Sequence, residues 1–262
     1  MSSEKKRTLA VALIVKDEAA HLNDCLETVK DLADEIVILD SGSTDATLEI
    51  ARNYTDKVYS SNHWPGYGPQ RRIAQTYVTA DYLFWLDADE RVSPELAQSI
   101  RSVLVSPEDR TVYTISRLTW LFGRYIRHGG WYPDRVIRMY PTDLTRFDDA
   151  LVHEKVEVDN TIAVKPLKGD AIHYTYDDLH QYLVKSARYA KAWAEQRHRQ
   201  GKTTSITQGL LHGTAHFIQM YILRAGFLDG KQGFLLAVLS AYASFSKYAD
   251  LWTRPRIARS TD

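Results

Sequence analysis

One cysteine, Cys25, occurs in 262 residues, so no internal disulfide staples the chain and its folding needs no oxidising compartment. Glycine-rich phosphate loops are missing too. Neither G-x-G-x-x-G after the first apolar run nor G-x-x-x-x-G-K-[ST] occurs, which argues against a dinucleotide oxidoreductase and a P-loop kinase. No Cys/His cluster points to zinc, so His128 and His153 are read as hydrogen-bonding or acceptor-contact residues. No apolar run reaches the roughly 20 residues that a bilayer span requires. Residues 1–8 are too polar, and the apolar run behind them too short, for a signal peptide. Formal net charge is zero, and no aromatic-basic recognition motif accompanies the bases, so nucleic acid is not an expected partner. Internal repeats and low-complexity linkers are absent. What remains is a chain of ordinary composition, 44% hydrophobic, long enough for one substantial core.

Within it, Tyr82-Leu83-Phe84-Trp85-Leu86 runs directly into Asp87-Ala88-Asp89-Glu90. Five apolar residues in succession predict a strand covered on both faces in a parallel sheet, and ligands of such sheets gather at the carboxyl ends of the strands. Side chains two apart on an extended segment point the same way, so Asp87 and Asp89 can converge on one hard cation, or divide between a cation and a sugar hydroxyl. Oxygen ligands of this kind suit Mg²⁺ or Mn²⁺ bridging a diphosphate. An isolated D-x-D reads first as a solvated acidic turn; the surrounding pattern reverses that.

That pattern repeats. An apolar run at 9–15 ends in Lys16-Asp17-Glu18, and a helix is predicted over 19–30, with Leu22, Leu26 and Val29 at helical spacing. A second strand over 35–39 closes on Asp40-Ser41-Gly42-Ser43-Thr44-Asp45, an acid, a turn and capping candidates for a helix over 46–54. A short strand over 57–60 and a helix over 70–79 lead back to the Asp87 strand. Strands alternating with helices indicate βαβ units, an α/β fold with a mostly parallel sheet. Three strand ends, at Asp17/Glu18, Asp40 and Asp87/Asp89, then point at one rim. Carboxylates there can accept hydrogen bonds from a uracil imide or ribose hydroxyls.

These residues resemble glycosyltransferase family two, whose fold is the inverting GT-A type. Trp64-Pro65-Gly66-Tyr67-Gly68-Pro69-Gln70, His128-Gly129-Gly130-Trp131-Tyr132-Pro133-Asp134, Val152-His153-Glu154 and Gly226-Phe227-Leu228-Asp229-Gly230 extend the resemblance over nearly the whole chain. Within the family they are similar to the subgroup that glucosylates heptose in the lipopolysaccharide inner core, the WaaE and LgtF type. The resemblance implies β-transfer of glucose from UDP-glucose to an inner-core heptose with Mg²⁺ or Mn²⁺. Lys16, Glu18 and Asp40 in the Ser41-Gly42-Ser43 turn would hold the donor, Asp87 the ribose or metal, and Asp89 the metal. Where family members often carry Lys-Asn, this chain has Arg71-Arg72, two guanidiniums that still suit diphosphate contact.

Inverting transfer also needs a base for the acceptor proton. The family analogy points to an acid after a strand over 135–140, which selects Glu154, with Asp134 as the rival. Trp64, Trp120, Trp131 and Tyr132 are candidates for stacking on sugar faces or for loop packing. Arg135 and Arg138 alternate with apolar neighbours and face either an anionic ligand or solvent.

The expected organisation is a GT-A catalytic domain over 1–175, nucleotide-sugar binding over 8–95 and acceptor-facing over 96–175, followed by a helical, basic region over 176–262. From Leu179 onward 12 Lys and Arg stand against 4 Asp and Glu. Helical spacing over 210–222 and an apolar helix over 234–248 read as an interfacial region, which predicts a peripheral protein at the inner face of the inner membrane, close to a lipid A-core acceptor. The competing readings of that region are a helical cap and a dimer interface. A transferase of the same fold acting on another lipid-linked, polysaccharide or protein acceptor, and a non-catalytic nucleotide-sugar-binding scaffold, are the alternatives for the whole chain.

Overall fold

The structure, a computed structural model, describes residues 7–61, 63–151 and 154–258. Expectations at residues 1–6, Val152, His153 and Arg259 therefore lie outside the described residues. The chain packs as two compact units, Met1–Arg117 with Asp134–His173, and Leu118–Pro133 with Tyr174–Asp262.

The first unit is built on β1 (Leu9–Val15), β2 (Glu35–Asp40), β3 (Val58–Ser60), β4 (Tyr82–Trp85), β5 (Glu90–Val92), most of β6 (Thr111–Leu121), β8 (Asp134–Pro141) and β9 (Ala163–His173). The strand order is β3-β2-β1-β4-β8-β6-β9-β5. Strands β1 to β4 are mutually parallel, while β8 runs antiparallel to β4 and β6. This is the α/β class expected from the alternating pattern. Every residue of β4 is buried, and successive residues feed opposite layers: Tyr82 and Phe84 join Leu9, Val11 and Leu13 on one face, Leu83 and Trp85 join Ala10, Ala12 and Leu39 on the other. Helices α1 (Leu22–Glu27), α2 (Thr47–Arg52) and α4 (Pro94–Val105) supply Leu22, Cys25, Ala51 and Ile100 to the first layer, and α3 (Tyr67–Gln75) supplies Ala74 to the second.

Two element boundaries differ from the sequence expectation in an instructive way. Helix α1 begins only at Leu22 because the preceding loop gives its Glu18 and Ala19 N–H groups to Thr47, at the start of α2, and to Asp45. Helix α3 starts earlier, at Tyr67, since Pro69 falls within its first turn, where a missing N–H is tolerated.

The amino ends of the parallel strands are tied by acids of their own. Asp34 accepts from Leu9 N–H, Asp81 from Thr8 N–H, and Glu35 from the Thr79 and Ala80 N–H groups and Lys57 Nζ. The sheet thus keeps carboxylates at both ends, structural ones where strands begin and a separate set where they finish.

The second unit contains β7 (Arg124–Tyr125), paired with the end of β6, and α5 (Leu179–Arg199), α6 (Ile206–Phe217) and α7 (Gly230–Ala258). Asp178 and Ser205 cap α5 and α6 by accepting from Gln181 N–H and Gln208 N–H. A π-helical turn, Ile218–Leu223, and a 3₁₀ turn, Gly226–Asp229, connect α6 to α7. Its core holds Leu121, Ile126, Tyr182, Met220, Leu236 and Leu239. No helix among the described residues is long and apolar enough to cross a membrane.

Candidate active site

The register Val15↔Asp40 and Ala12↔Trp85 brings the carboxyl ends of β1, β2 and β4 to one rim of the first unit. There the loops after β1 and β2 are stitched together. Asp17 Oδ1 accepts from Thr44 N–H (2.7 Å), Ser43 Oγ from Asp17 N–H (2.8 Å), Thr47 Oγ1 from Glu18 N–H (2.7 Å) and Asp45 Oδ2 from Ala19 N–H (3.1 Å). Asp40 is buried and folds back on its own turn, accepting from Gly42 and Ser43 N–H, while Gly42 turns the chain at φ 89°, a region glycine enters without strain. Lys16 is exposed and Glu18 half-buried beside them. Gln70 anchors α3 to the same turn by donating to Ser41 Oγ (3.0 Å).

At the end of β4, Asp87 is clamped by two buried guanidiniums, Arg71 Nη2 at 2.7 Å and Arg138 Nη2 at 2.5 Å. Burial opposes the carboxylate charge, but Arg138 and Arg71 outweigh it and hold Asp87 well below the usual carboxylate range. Glu90 is fully buried next to it. Its Oε2 accepts from Asp87 N–H (3.0 Å), and burial pushes its pKa up although Arg138 lies 3.6 Å away. Cys25 packs beneath, its thiol donating to the Asp87 carbonyl (3.4 Å) and pushed well up by burial.

Arg138 reaches Asp87 because of a bulge. Tyr113 pairs with Met139 and Thr114 with Ile137, so Arg138 is the extra residue on β8. A bulge re-aims the side chain it carries, here inward between Asp87 and Glu90.

Asp89 meets a partner that the sequence reading did not single out. Strand β5 pairs with β9 in the register Glu90↔His173, which sets His173 beside Asp89 with Nε2 3.2 Å from Oδ2. Burial lowers the basicity of His173, but the Asp89 hydrogen bond and charge reverse that and raise its pKa. The donor set fits Mg²⁺ or Mn²⁺: two atoms bound side by side at about 2.1 Å from such an ion stand about 3 Å apart. Among the described residues no group of three or more His, Cys, Asp or Glu converges, so a cation here must take its remaining ligands from water and substrate oxygens. The H-x-x-x-H pair His212 and His216 on α6 belongs to no such group, and His212 stacks flat on Tyr248.

Both candidate bases are in the first unit. Glu154 is largely buried and accepts from Arg71 Nε at 3.2 Å, so Arg71 bridges Asp87 and Glu154 while its guanidinium lies over Trp85 and Phe147. Asp134 is engaged by Arg117, through Nε at 2.8 Å and Nη2 at 2.5 Å, as the register Arg117↔Asp134 requires. Arg72 pairs with Asp149, and Arg135 is exposed. Trp64 is exposed with its edge on Tyr67. In the second unit Trp120 packs on Tyr125, Tyr132 lies under Arg127, and His128 donates or accepts at Nδ1 with buried Asp229.

Arg117 and His173 were invisible as site residues in the sequence because no short motif holds them; register brings them in, while Arg138, expected to face an anionic ligand or solvent, is turned by the bulge onto Asp87 and Glu90. The nearest signal was positional, His173 closing the run Ala171-Ile172.

Residues 10–153 match the family described as Glycosyl transferase family 2. An "Uncharacterized glycosyltransferase" of Rickettsia bellii is 29% identical over 96% of this chain and 88% of its own length. The "Lipopolysaccharide core biosynthesis glycosyltransferase LpsC" of Rhizobium meliloti is 25% identical over 95% of this chain and 93% of its own. Among solved structures, glucosyl-3-phosphoglycerate synthase of Mycobacterium tuberculosis, in complex with Mg²⁺ and uridine diphosphate, aligns over 43% of this chain and 44% of that one, at 22% identity and a TM-score of 0.37.

Proposed function

The chain belongs to glycosyltransferase family 2, and from that premise we propose that it is a metal-dependent inverting hexosyltransferase moving glucose from UDP-glucose onto a heptose of the lipopolysaccharide inner core in β linkage. The observation that supports the metal-dependent reading is the Asp89–His173 pair at the carboxyl end of β4, a carboxylate oxygen and an imidazole nitrogen 3.2 Å apart within one acid-lined rim. The name of the Rhizobium meliloti relative supports a lipopolysaccharide-core acceptor.

In this reading Asp89 and His173 hold Mg²⁺ or Mn²⁺. When bound, the ion neutralises the charge that develops on the departing diphosphate. Glu18, Lys16 and the Asp40 turn receive the uridine. Asp87, ionised and immobilised by Arg71 and Arg138, presents a fixed acceptor to a ribose hydroxyl or to the ion's shell. Glu154 takes the acceptor proton as the acceptor oxygen bonds to the anomeric carbon and the bond from that carbon to the diphosphate oxygen breaks. Its contact with Arg71 keeps it oriented toward the Asp87 end of the rim. Asp134 is the second candidate for the base, with Arg117 holding its carboxylate.

The test is UDP release from a panel of UDP-sugars, with and without Mg²⁺ or Mn²⁺, using heptose-terminated lipid A-core as acceptor. Acceptor- and metal-dependent turnover of UDP-glucose is expected. Turnover of another sugar, or of another acceptor only, overturns the substrate assignment, and metal-independent turnover overturns the role of the pair.

A further inference from the structure

Helix α6 of the second unit is amphipathic in the wrong sense for a helix facing water. Its buried positions are Gly209 and Gly213, where an added Cβ would lie 3.1 Å from Tyr248 Cβ and from the Ala241 carbonyl oxygen of α7. Its large exposed apolar residues are Leu210 and Leu211, beside exposed Thr207, Gln208, His212 and Thr214, and the π turn continues that apolar surface with Ile218, Ile222 and Leu223. Small residues against the neighbouring helix and large apolar residues outside is the arrangement of helices whose surroundings are apolar. On α7, Phe234, Val238 and Tyr242 recur every four residues and are exposed as well. Where the two helices join, Leu223 is 75% exposed and Phe227 and Leu228 about half. Exposed apolar groups gathered over one helical hairpin mark an interaction surface.

Charge selects the occupant. Residues 203–223 and 232–246 contain no Asp, Glu, Lys or Arg, and each stretch is bracketed by bases: Lys202 and Arg224, then Lys231 and Lys247. The only carboxylate between 203 and 249 is Asp229, which is buried and accepts from Arg127 and His128 N–H. Arg124 donates to the Leu228 carbonyl at the same end. The apolar tip is therefore held in place, rimmed by cations, and free of exposed acid. Neither helix is apolar enough to span a bilayer.

We propose that the α6–α7 hairpin docks in the plane of an anionic lipid surface, with Leu223, Phe227 and Leu228 entering the acyl region and Arg124, Arg224 and Lys231 at the headgroups. This inference stands apart from the donor and acceptor assignments.

The experiment is flotation of the full chain with vesicles of phosphatidylcholine alone or with phosphatidylglycerol added, alongside light-scattering mass measurement. Two variants join the native protein: Leu223→Ser with Phe227→Ser and Leu228→Ser, and Arg224→Gln with Lys231→Gln. Native protein should float with anionic vesicles, and each variant should bind about tenfold or more weakly while keeping native circular dichroism and UDP binding. A separate Leu223→Trp protein should show indole fluorescence quenched by brominated acyl chains, a readout that does not depend on losing anything. Absence of flotation, an unquenched Trp, or unchanged binding by the triple variant overturns the proposal. So does a native dimer that the triple variant converts to monomer, which would assign the face to a second copy of this chain.

Discussion

His173 Nε2 stands 3.2 Å from Asp89 Oδ2 because strand β5, only three residues long, pairs Glu90 with His173 across 83 positions of sequence. The short strand begins immediately after the acid pair, so the backbone that ends β4 also recruits the histidine. Replacing either partner should abolish metal-stimulated UDP release while leaving the fold intact. For His173→Ala and Asp89→Asn we expect losses of about 100-fold or more in kcat/KM, or about 2.7 kcal/mol in the transition state. Titration of Mn²⁺ in the presence of UDP should show weaker binding in both variants; unchanged Mn²⁺ affinity would remove the pair from the metal site.

Asp87 has a different status from Asp89, although both belong to one motif. It is the only carboxylate hydrogen-bonded to both Arg71 and Arg138 among the described residues, and both guanidiniums are buried. Removing its charge takes from Arg71 and Arg138 their shortest acidic contacts and leaves them Glu154 at 3.2 Å and Glu90 at 3.6 Å, so Asp87→Asn should destabilise the protein by about 3 kcal/mol, in the range for breaking a buried ion pair. Urea denaturation measures this, and an unchanged midpoint would show the clamp to be dispensable. Asp89→Asn, half-buried and facing the rim, should shift that midpoint little.

For the base, Glu154→Gln is expected to lower kcat by about 10² to 10⁴, the usual contribution of a positioned general base, with donor KM nearly unchanged. Asp134→Asn should have the smaller effect, since its carboxylate is occupied by Arg117. The reverse ranking would transfer the assignment to Asp134.

How far these features could be read from sequence depends on their range. Strand β1 coincides with its apolar run, and the rim formed by β1, β2 and β4 follows from period and strand order, both local signals. The placement of His173 beside Asp89, the bulged Arg138 and the Arg117–Asp134 pair depend on the registers of β6, β8 and β9, and no residue near Asp87 announces them. The acids posed a second ambiguity. Asp34, Glu35 and Asp81 look like Asp40 and Asp87 in composition, yet they cap the opposite ends of the strands. Only direction along the sheet separates the two sets.

Glu35 gives that distinction a measurable form. Its side chain joins the start of β2 to Lys57 and to the Thr79–Ala80 backbone ahead of β4. Burial by itself would raise its pKa, and the hydrogen bonds from Lys57 and Thr79 more than reverse this, so its folded value is lowered. A depressed folded pKa means that the unfolded chain binds the proton more readily. The stabilisation is therefore complete above the unfolded value of about 4.3 and is lost as pH falls through the folded value. Glu35→Gln should cost on the order of 2 kcal/mol at pH 7, the loss of charge-assisted hydrogen bonds. The gap in Tm between native and variant should then stay constant from neutral pH down to about 5 and close below about 4.3. A gap that widens on acidification would mean the opposite sign, a Glu35 that folds more stably when protonated, and would place its main interaction with an acceptor and not with Lys57.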